Sequence, residues 1–180
     1  MTWIVRNHPH IRTATTKDVN SLTELAERTF RDTYAQDNSA EDMEAYVGKS
    51  LSVEQIRAEL EEEGSVFLLA FPDHTDKPSG YTKLRIGRGH ANVTGVNPMQ
   101  LQRLYADRSL IGKGVGAALM RAIIETAHNA GAEALWLAVW ERNEHAIGFY
   151  KRWGFRVVGD HVFRLGEDEQ TDLIMQRVLV

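Results

Sequence analysis

The spacing of hydrophobic positions changes along the chain. Leu22, Leu25, Ala26, Thr29 and Phe30 recur every three to four residues, which predicts one buried face of a helix running to about Tyr34. Thr16 stands where an N-cap belongs, after a short first strand at residues 11–14. Asp37-Asn38-Ser39 is turn chemistry, and Ser39 is placed to cap a short helix carrying Met43, Tyr46 and Val47. Ser52 followed by Gln55 forms a capping-box pattern ahead of Val53, Ile56 and Leu60, and Gly64 sits where a helix would end on a left-handed residue.

From residue 66 the pattern is that of strands. Residues 66–71 form a continuous apolar run between Gly64 and Pro72-Asp73, as expected of a strand buried on both faces, and residues 80–86 read as its hairpin partner. Residues 87–99 carry three glycines and Pro98 and read as a loop. Leu101, Arg103 and Tyr105 then alternate with Gln102, Leu104 and Ala106 in a further strand. Val115, Leu119, Ala122, Ile123 and Ala127 mark a strong helix that Gly131 ends. A strand at residues 135–139, a short helix at 144–153 closed by Gly154, and strands at 155–163 and 172–180 complete the chain, the last two joined by the acidic loop 166–169. This order predicts one α/β (α+β) domain with a mixed sheet over residues 1–180, residues 1–10 forming a loosely packed extension.

Composition narrows the chemistry. The absence of cysteine excludes disulfides, Cys-type zinc sites and a thiol nucleophile. Twenty-one Lys+Arg against 25 Asp+Glu give a net charge of −4, which argues against a nucleic-acid partner. None of the seven histidines falls in a metal-binding spacing, so no metal is expected. The first twelve residues hold no apolar core and no apolar run approaches the ~20 residues that span a bilayer, so a cytoplasmic protein off the membrane is expected.

Gly112, Gly114 and Gly116 alternate with Lys113 and Val115 at the entrance of the strong helix, ending on Ala117. Glycines there leave backbone N–H groups open and the helix dipole adds positive charge, so the loop can cradle a phosphate or pyrophosphate. A Walker motif is excluded because Gly114 follows Lys113. Gly112, Gly114 and Ala117 do satisfy the dinucleotide fingerprint, but a five-residue polar turn separates strand from glycine and no second βαβ half follows.

The series Leu104-Tyr105-Ala106, Gly112 to Ala117, Trp136 to Trp140 with Asn143, and Phe149-Tyr150-Lys151-Arg152-Trp153-Gly154-Phe155 resembles the Gcn5-related N-acetyltransferase superfamily over nearly the whole order of elements. The resemblance implies acetyl-CoA as co-substrate, a sheet with a splayed central strand pair flanked by helices, and an amine acceptor. It implies that Leu104, Tyr105 and Ala106 bind the pantetheine arm through their backbone. The amides of Gly112, Lys113, Gly114, Val115, Gly116 and Ala117 would hold the pyrophosphate, and Asn143 and Tyr150 would lie near the thioester. Where the family has Gln or Arg three residues before the middle glycine, this chain has Ile111, so Lys113 or Arg108 would supply the missing charge.

A narrower resemblance lies in Thr29-Phe30-Arg31-Asp32-Thr33-Tyr34 with Asn38-Ser39, in the run Leu137 to Asn143, and in Leu165-Gly166-Glu167-Asp168-Glu169-Gln170-Thr171-Asp172. These stretches are similar to the bacterial spermidine/spermine N-acetyltransferases, which implies a polyamine acceptor bordered by Phe30 and Tyr34. Another small-molecule or peptide amine, or a regulatory module that binds acyl-CoA without turnover, remain alternatives.

Attack of an amine on a thioester needs a neutral amine, a polarised carbonyl and a proton for the leaving thiolate. Tyr150 suits the last task, since a phenol of pKa ~10 stays protonated where a thiol of pKa ~8.5 is being formed. Without a cysteine, transfer is expected to be direct, in a ternary complex. Glu141, at a strand end before Asn143, is the candidate base and a second acceptor contact, directly or through water. A splay between the strand ending at Ala106 and the one before Asn143 would free backbone N–H groups for the thioester oxygen. An exposed edge strand near the C-terminus could support a homodimer.

Overall fold

The computed structural model of the chain describes residues 9–72, 75–165 and 168–179, and side chains outside 163–168. Its elements are β1 (His10–Thr13), α1 (Val19–Tyr34), α2 (Ala40–Ser50), α3 (Val53–Glu61), β2 (Ser65–Phe71), β3 (Gly80–Arg85), β4 (Met99–Ala106), α4 (Val115–Asn129), β5 (Ala134–Trp140), α5 (Glu144–Arg152), β6 (Arg156–Leu165) and β7 (Asp168–Val178). The strands form one seven-stranded sheet in the order β1-β2-β3-β4-β5-β7-β6. All neighbours are antiparallel except β4 and β5.

Local chemistry accounts for the helix starts. Ser39 and Ser52 accept from the N–H groups of Asp42 and Gln55, as the sequence predicts. At α1 the cap differs from expectation: Thr15, not Thr16, opens a single 3₁₀ turn, and its N–H and hydroxyl both donate to Asp18. Asp18 also accepts from Arg12 at 2.6 Å, and that guanidinium holds its carboxyl down at about 2. His10 belongs to β1, opposite Phe71, so the extension predicted for residues 1–10 is shortened at its inner end; residues 1–8 lie outside the described residues.

The two faces of the sheet are covered unequally. On one face α1, α2 and α3 bury Leu22, Leu25, Phe30, Met43, Val47 and Ile56 against Phe67, Leu69 and Tyr81 of β2 and β3. On the other, α4 and α5 pack Leu119, Met120, Ile123, Ile147 and Tyr150 against strands from β2 to β7. Gly80 sets how close α4 comes: a Cβ there would meet Val115 Cγ1 at 2.8 Å and the Tyr105 carbonyl at 3.1 Å. The α1–α3 layer stops short of β5, β6 and β7, whose same face meets the 86–98 loop. Trp136 Nε1 donates to the Arg88 carbonyl at 2.6 Å, and Gln176 accepts from the Thr94 N–H at 3.1 Å, so this loop is tied across the sheet.

Strand β4 departs from the simple alternation read from sequence. Arg103 pairs with Lys83 and Leu101 with Leu84, so Gln102 is an extra residue in the ladder, a β-bulge. The bulge changes the parity of facing. Met99, Leu101, Leu104 and Ala106 pack on the α4 side, whereas Gln100, Gln102, Arg103 and Tyr105 turn to the α1 side. Leu101 is therefore opposite in facing to Arg103 and Tyr105, with which it would have alternated in a regular strand.

Candidate active site

Strands β4 and β5 pair at only two positions, Met99 with Leu135 and Gln100 with Trp136, and then separate. Residues 101–106 consequently have a strand partner, β3, on one edge alone. This opening, beginning beside the bulge, connects the two faces of the sheet.

On the α4 face the opening leads to the glycine loop. Gly112 and Gly114 have φ of +80° and +90°, in the left-handed region that side chains rarely adopt, and neither has an atom within 4 Å of where a Cβ would stand. The first intrahelical bond comes from Ala118, whose N–H donates to the Gly114 carbonyl, so the N–H groups of Val115, Gly116 and Ala117 lack an intrahelical acceptor. Open space, exposed amides and the positive end of a fifteen-residue helix together fit a pyrophosphate. Lys113 and Arg108 are exposed beside it, as is Ile111. Leu104 and Ala106 are half-buried and follow the open edge towards the loop.

Tyr150 comes from α5 onto the same face. It is buried against Phe149 and Phe155, and burial, then the neighbouring Tyr34, pushes its hydroxyl far above the usual phenol value. Such a group stays protonated and can donate a proton, which suits the role of acid. Asn143 caps α5, its Oδ1 accepting from the Ala146 N–H at 3.1 Å, so it has a structural task just past the end of β5.

On the α1 face the opening enters a cavity of about 460 Å³. Its aromatic wall is Phe30, Tyr34, Tyr46, Tyr105, Trp136 and Trp140, in which Phe30 stacks on Tyr46 at 4.4 Å and Tyr34 lies 6.3 Å from Trp140. Phe30 and Tyr34, the two residues for which the resemblance implied an acceptor contact, both line this cavity. The Tyr34 and Tyr105 hydroxyls approach to 3.5 Å.

Glu141, expected as the base, stands outside the cavity. It is exposed, and its N–H donates to the Thr171 carbonyl at 3.0 Å. The carboxylate that does line the cavity is Asp172, which sits on β7 directly across from His161 on β6 and from Trp140 on β5. Burial pushes the Asp172 carboxyl above its usual range, against the opposing charge of His161. Of the acidic run, Asp168 and Glu169 belong to β7 and not to a loop, and Glu167 lies outside the described residues.

Sequence reading missed the opposite wall. Arg103 lines the cavity and is held from behind by Glu59, at 2.6 and 3.1 Å, and the same carboxylate meets the buried Lys83 at 3.1 Å. Glu59 was hidden among charged residues at the end of α3. Only its position one turn after Gln55, which donates to it, gives a signal. His90, in the 86–98 loop, was also missed; it lies 5.2 Å from Trp136 and 6.0 Å from His161. Among the described residues no cluster of three or more metal-ligating side chains occurs, and no helix is long and apolar enough to cross a membrane.

A parting parallel strand pair, an anion cradle at a helix N-terminus and a buried phenol beside the opening define an acyltransferase that takes its acyl group from a coenzyme A thioester. Residues 19–155 match the model of the acetyltransferase (GNAT) family. Over 164 residues, 91% of this chain and 94% of the relative, the chain is 32% identical to an uncharacterised N-acetyltransferase of Lactobacillus delbrueckii subsp. lactis. It is also similar, at 34% identity over 61 residues, to the spermine/spermidine N(1)-acetyltransferase of Bacillus subtilis, spanning 33% of this chain and 40% of that one. Among solved structures, the PaiA N-acetyltransferase of Thermoplasma acidophilum, in complex with coenzyme A, superposes with a TM-score of 0.73 at 24% identity, over 94% of this chain and 98% of that one. The chain belongs to the acetyltransferase (GNAT) family and is an acetyl-CoA-dependent N-acetyltransferase.

Proposed function

We propose that the protein transfers acetyl from acetyl-CoA to a cationic primary amine, with a polyamine such as spermidine or spermine as the first candidate. The observation that carries the acceptor class is the cavity itself: electron-rich rings on its walls and the carboxylate of Asp172 facing in. Aromatic faces attract ammonium groups by about 0.5–2 kcal/mol each, and a buried carboxylate adds charge complementarity. The partial similarity to the Bacillus subtilis enzyme supports the same class.

In this reading the amides of Gly112 to Ala117 hold the pyrophosphate and the free edge of Leu104, Tyr105 and Ala106 takes the pantetheine arm. The thioester then lies in the opening between β4 and β5. Unpaired N–H groups there stabilise charge developing on its oxygen, Asn143 borders it, and Tyr150 gives its proton to the departing sulfur. The acceptor comes from the opposite face, past Phe30 and Tyr34, so transfer needs no covalent enzyme intermediate. A cytoplasmic setting suits both substrates.

A second acceptor class is favoured by one feature. Arg103 brings a guanidinium to the cavity wall, and its partner Glu59 is shared with Lys83 behind it. An amine that also carries a carboxylate, such as an amino acid or peptide, would use that guanidinium. A thiol-release assay with spermidine, spermine, a monoamine, free lysine and a lysine peptide separates the two readings. Polyamines leading the panel supports the first; zwitterions leading it overturns the first in favour of the second. Homodimerisation along the exposed edge of β6, which carries Val157, Val158 and Val162, is a further part of the proposal, checked by the mass in solution.

A further inference from the structure

Resting on the acetyl-transfer reading, we propose that Asp172 is the base that takes the proton from the acceptor's ammonium group. Three independent observations carry this assignment. Asp172 lines the acceptor cavity, whereas Glu141 does not. It lies at the end of β5 where the strands have parted: its cross-strand partner is Trp140, three residues before Asn143. And His161, its partner on the other side, has a buried Nδ1 without a hydrogen-bond partner. Residues directly opposite on one face of an antiparallel pair hold their Cβ atoms about 4.5–5.5 Å apart, so the imidazole and the carboxylate are neighbours.

The surroundings suit a base. The titratable groups that line the cavity with Asp172 are His161 from β6, His90 from the 86–98 loop, Tyr34 from α1, Tyr46 from α2, Tyr81 from β3, and Arg103 and Tyr105 from β4. Burial raises the proton affinity of the carboxyl and His161 partly offsets this, which leaves it more basic than a carboxylate in water. Tyr34 ties the two ends of the reaction together: it feels the charge of Asp172 and itself raises the Tyr150 hydroxyl.

The step balances as follows. One N–H bond of the ammonium breaks, its electron pair stays on nitrogen and the proton goes to a carboxylate oxygen of Asp172. The nitrogen lone pair forms the new C–N bond to the thioester carbonyl, the C–S bond breaks, and sulfur leaves with that pair and takes the Tyr150 proton. The acetylated nitrogen then loses its second proton, which restores the Tyr150 hydroxyl. Asp172 returns its proton to water, so each turnover releases one amide, one thiol and one proton.

The test compares ethylamine with trifluoroethylamine, whose nitrogen is neutral near pH 7, in wild type and Asp172→Asn, alongside spermidine. Loss of a general base should lower kcat for ethylamine and spermidine at pH 7 by about 10²-fold or more and leave trifluoroethylamine within about three-fold. The variant's rate with ethylamine should climb tenfold per pH unit and approach wild type where the amine is itself neutral. In wild type, which needs no variant to fold, the rate with ethylamine should fall on the acid side as Asp172 protonates, and the rate with trifluoroethylamine should hold down to the pH at which that amine itself becomes an ammonium. A residue that only binds the cation would raise KM with kcat kept, and high pH would not rescue it; that result overturns the proposal. Equal losses with both amines, or none, overturn it too while acetyl transfer stands. Absence of turnover by wild type on any amine would overturn the acetyl-transfer reading and this inference with it.

Discussion

The two faces of the sheet meet at the same opening and are built by different rules. On the α4 face the proposed donor site is six consecutive residues, Gly112 to Ala117, plus one free strand edge, and in that reading it acts through backbone N–H groups. On the α1 face the acceptor cavity is assembled from side chains of α1, α2, β3, the 86–98 loop and every strand from β4 to β7. A backbone site tolerates change at most side chains; a side-chain site changes its ligand with each one. The donor half is therefore the fixed half of such an enzyme, and the acceptor half is where specificity resides.

The largest break in that contrast should come from Glu59→Gln, which leaves Lys83 and Arg103 buried without their shared carboxylate. Removing one partner of a buried ion cluster costs about 3–5 kcal/mol, read as a lower denaturant midpoint. Burial pushes the Glu59 carboxyl up, but Arg103 and Lys83 outweigh it and hold it below its usual range. Its contribution is accordingly present above the unfolded value of about 4.3 and lost as pH falls through the lower folded value, so wild type and variant should converge in acid. A constant gap across that range would mean that charge is not what Glu59 supplies.

Tyr150→Phe comes next. Turnover should fall about 10²-fold while acetyl-CoA binding, followed by calorimetry, holds. Equal loss of both would make Tyr150 a packing residue of the α4 face. A smaller effect is expected of Gly114→Ala, where a Cβ at φ +90° meets open space but a strained backbone, a cost of about 1–2 kcal/mol. It should raise KM for acetyl-CoA about tenfold, since about 1.4 kcal/mol is a factor of ten, and leave KM for the amine alone. Smallest of all is Glu141→Gln, expected to change kcat/KM by no more than about 0.5 kcal/mol, the scale of a surface substitution. A large loss there would return the base to the end of β5 and remove it from β7.

This division explains what could be read from sequence. The helices were legible because their caps and apolar spacing are local, as at Ser39, Ser52 and Gly131. So was the glycine loop, whose chemistry lies in adjacent residues. Phe30 and Tyr34 were reached through resemblance to a family. Asp172 was visible only as the last member of an acidic run, because its importance comes from facing His161 and Trp140, which lie 11 and 32 positions away in the sequence. The pairing of Glu59 with Lys83 and Arg103 was invisible, since a glutamate near a helix end ordinarily faces water and only the packing of α3 on β3 and β4 says otherwise.

The extra residue at Gln102 has a consequence for how the enzyme can change. It works as a phase shift, after which odd-numbered positions of β4 take the orientation that even-numbered ones held before it. Deleting one residue there would turn the guanidinium of Arg103 and the phenol of Tyr105 into the apolar layer of Leu119 and Val115, and send Leu104 into the cavity. Substitutions around this strand can retune the acceptor gradually, but a change of length would evert both half-sites at once, so chain length here is constrained more tightly than residue identity.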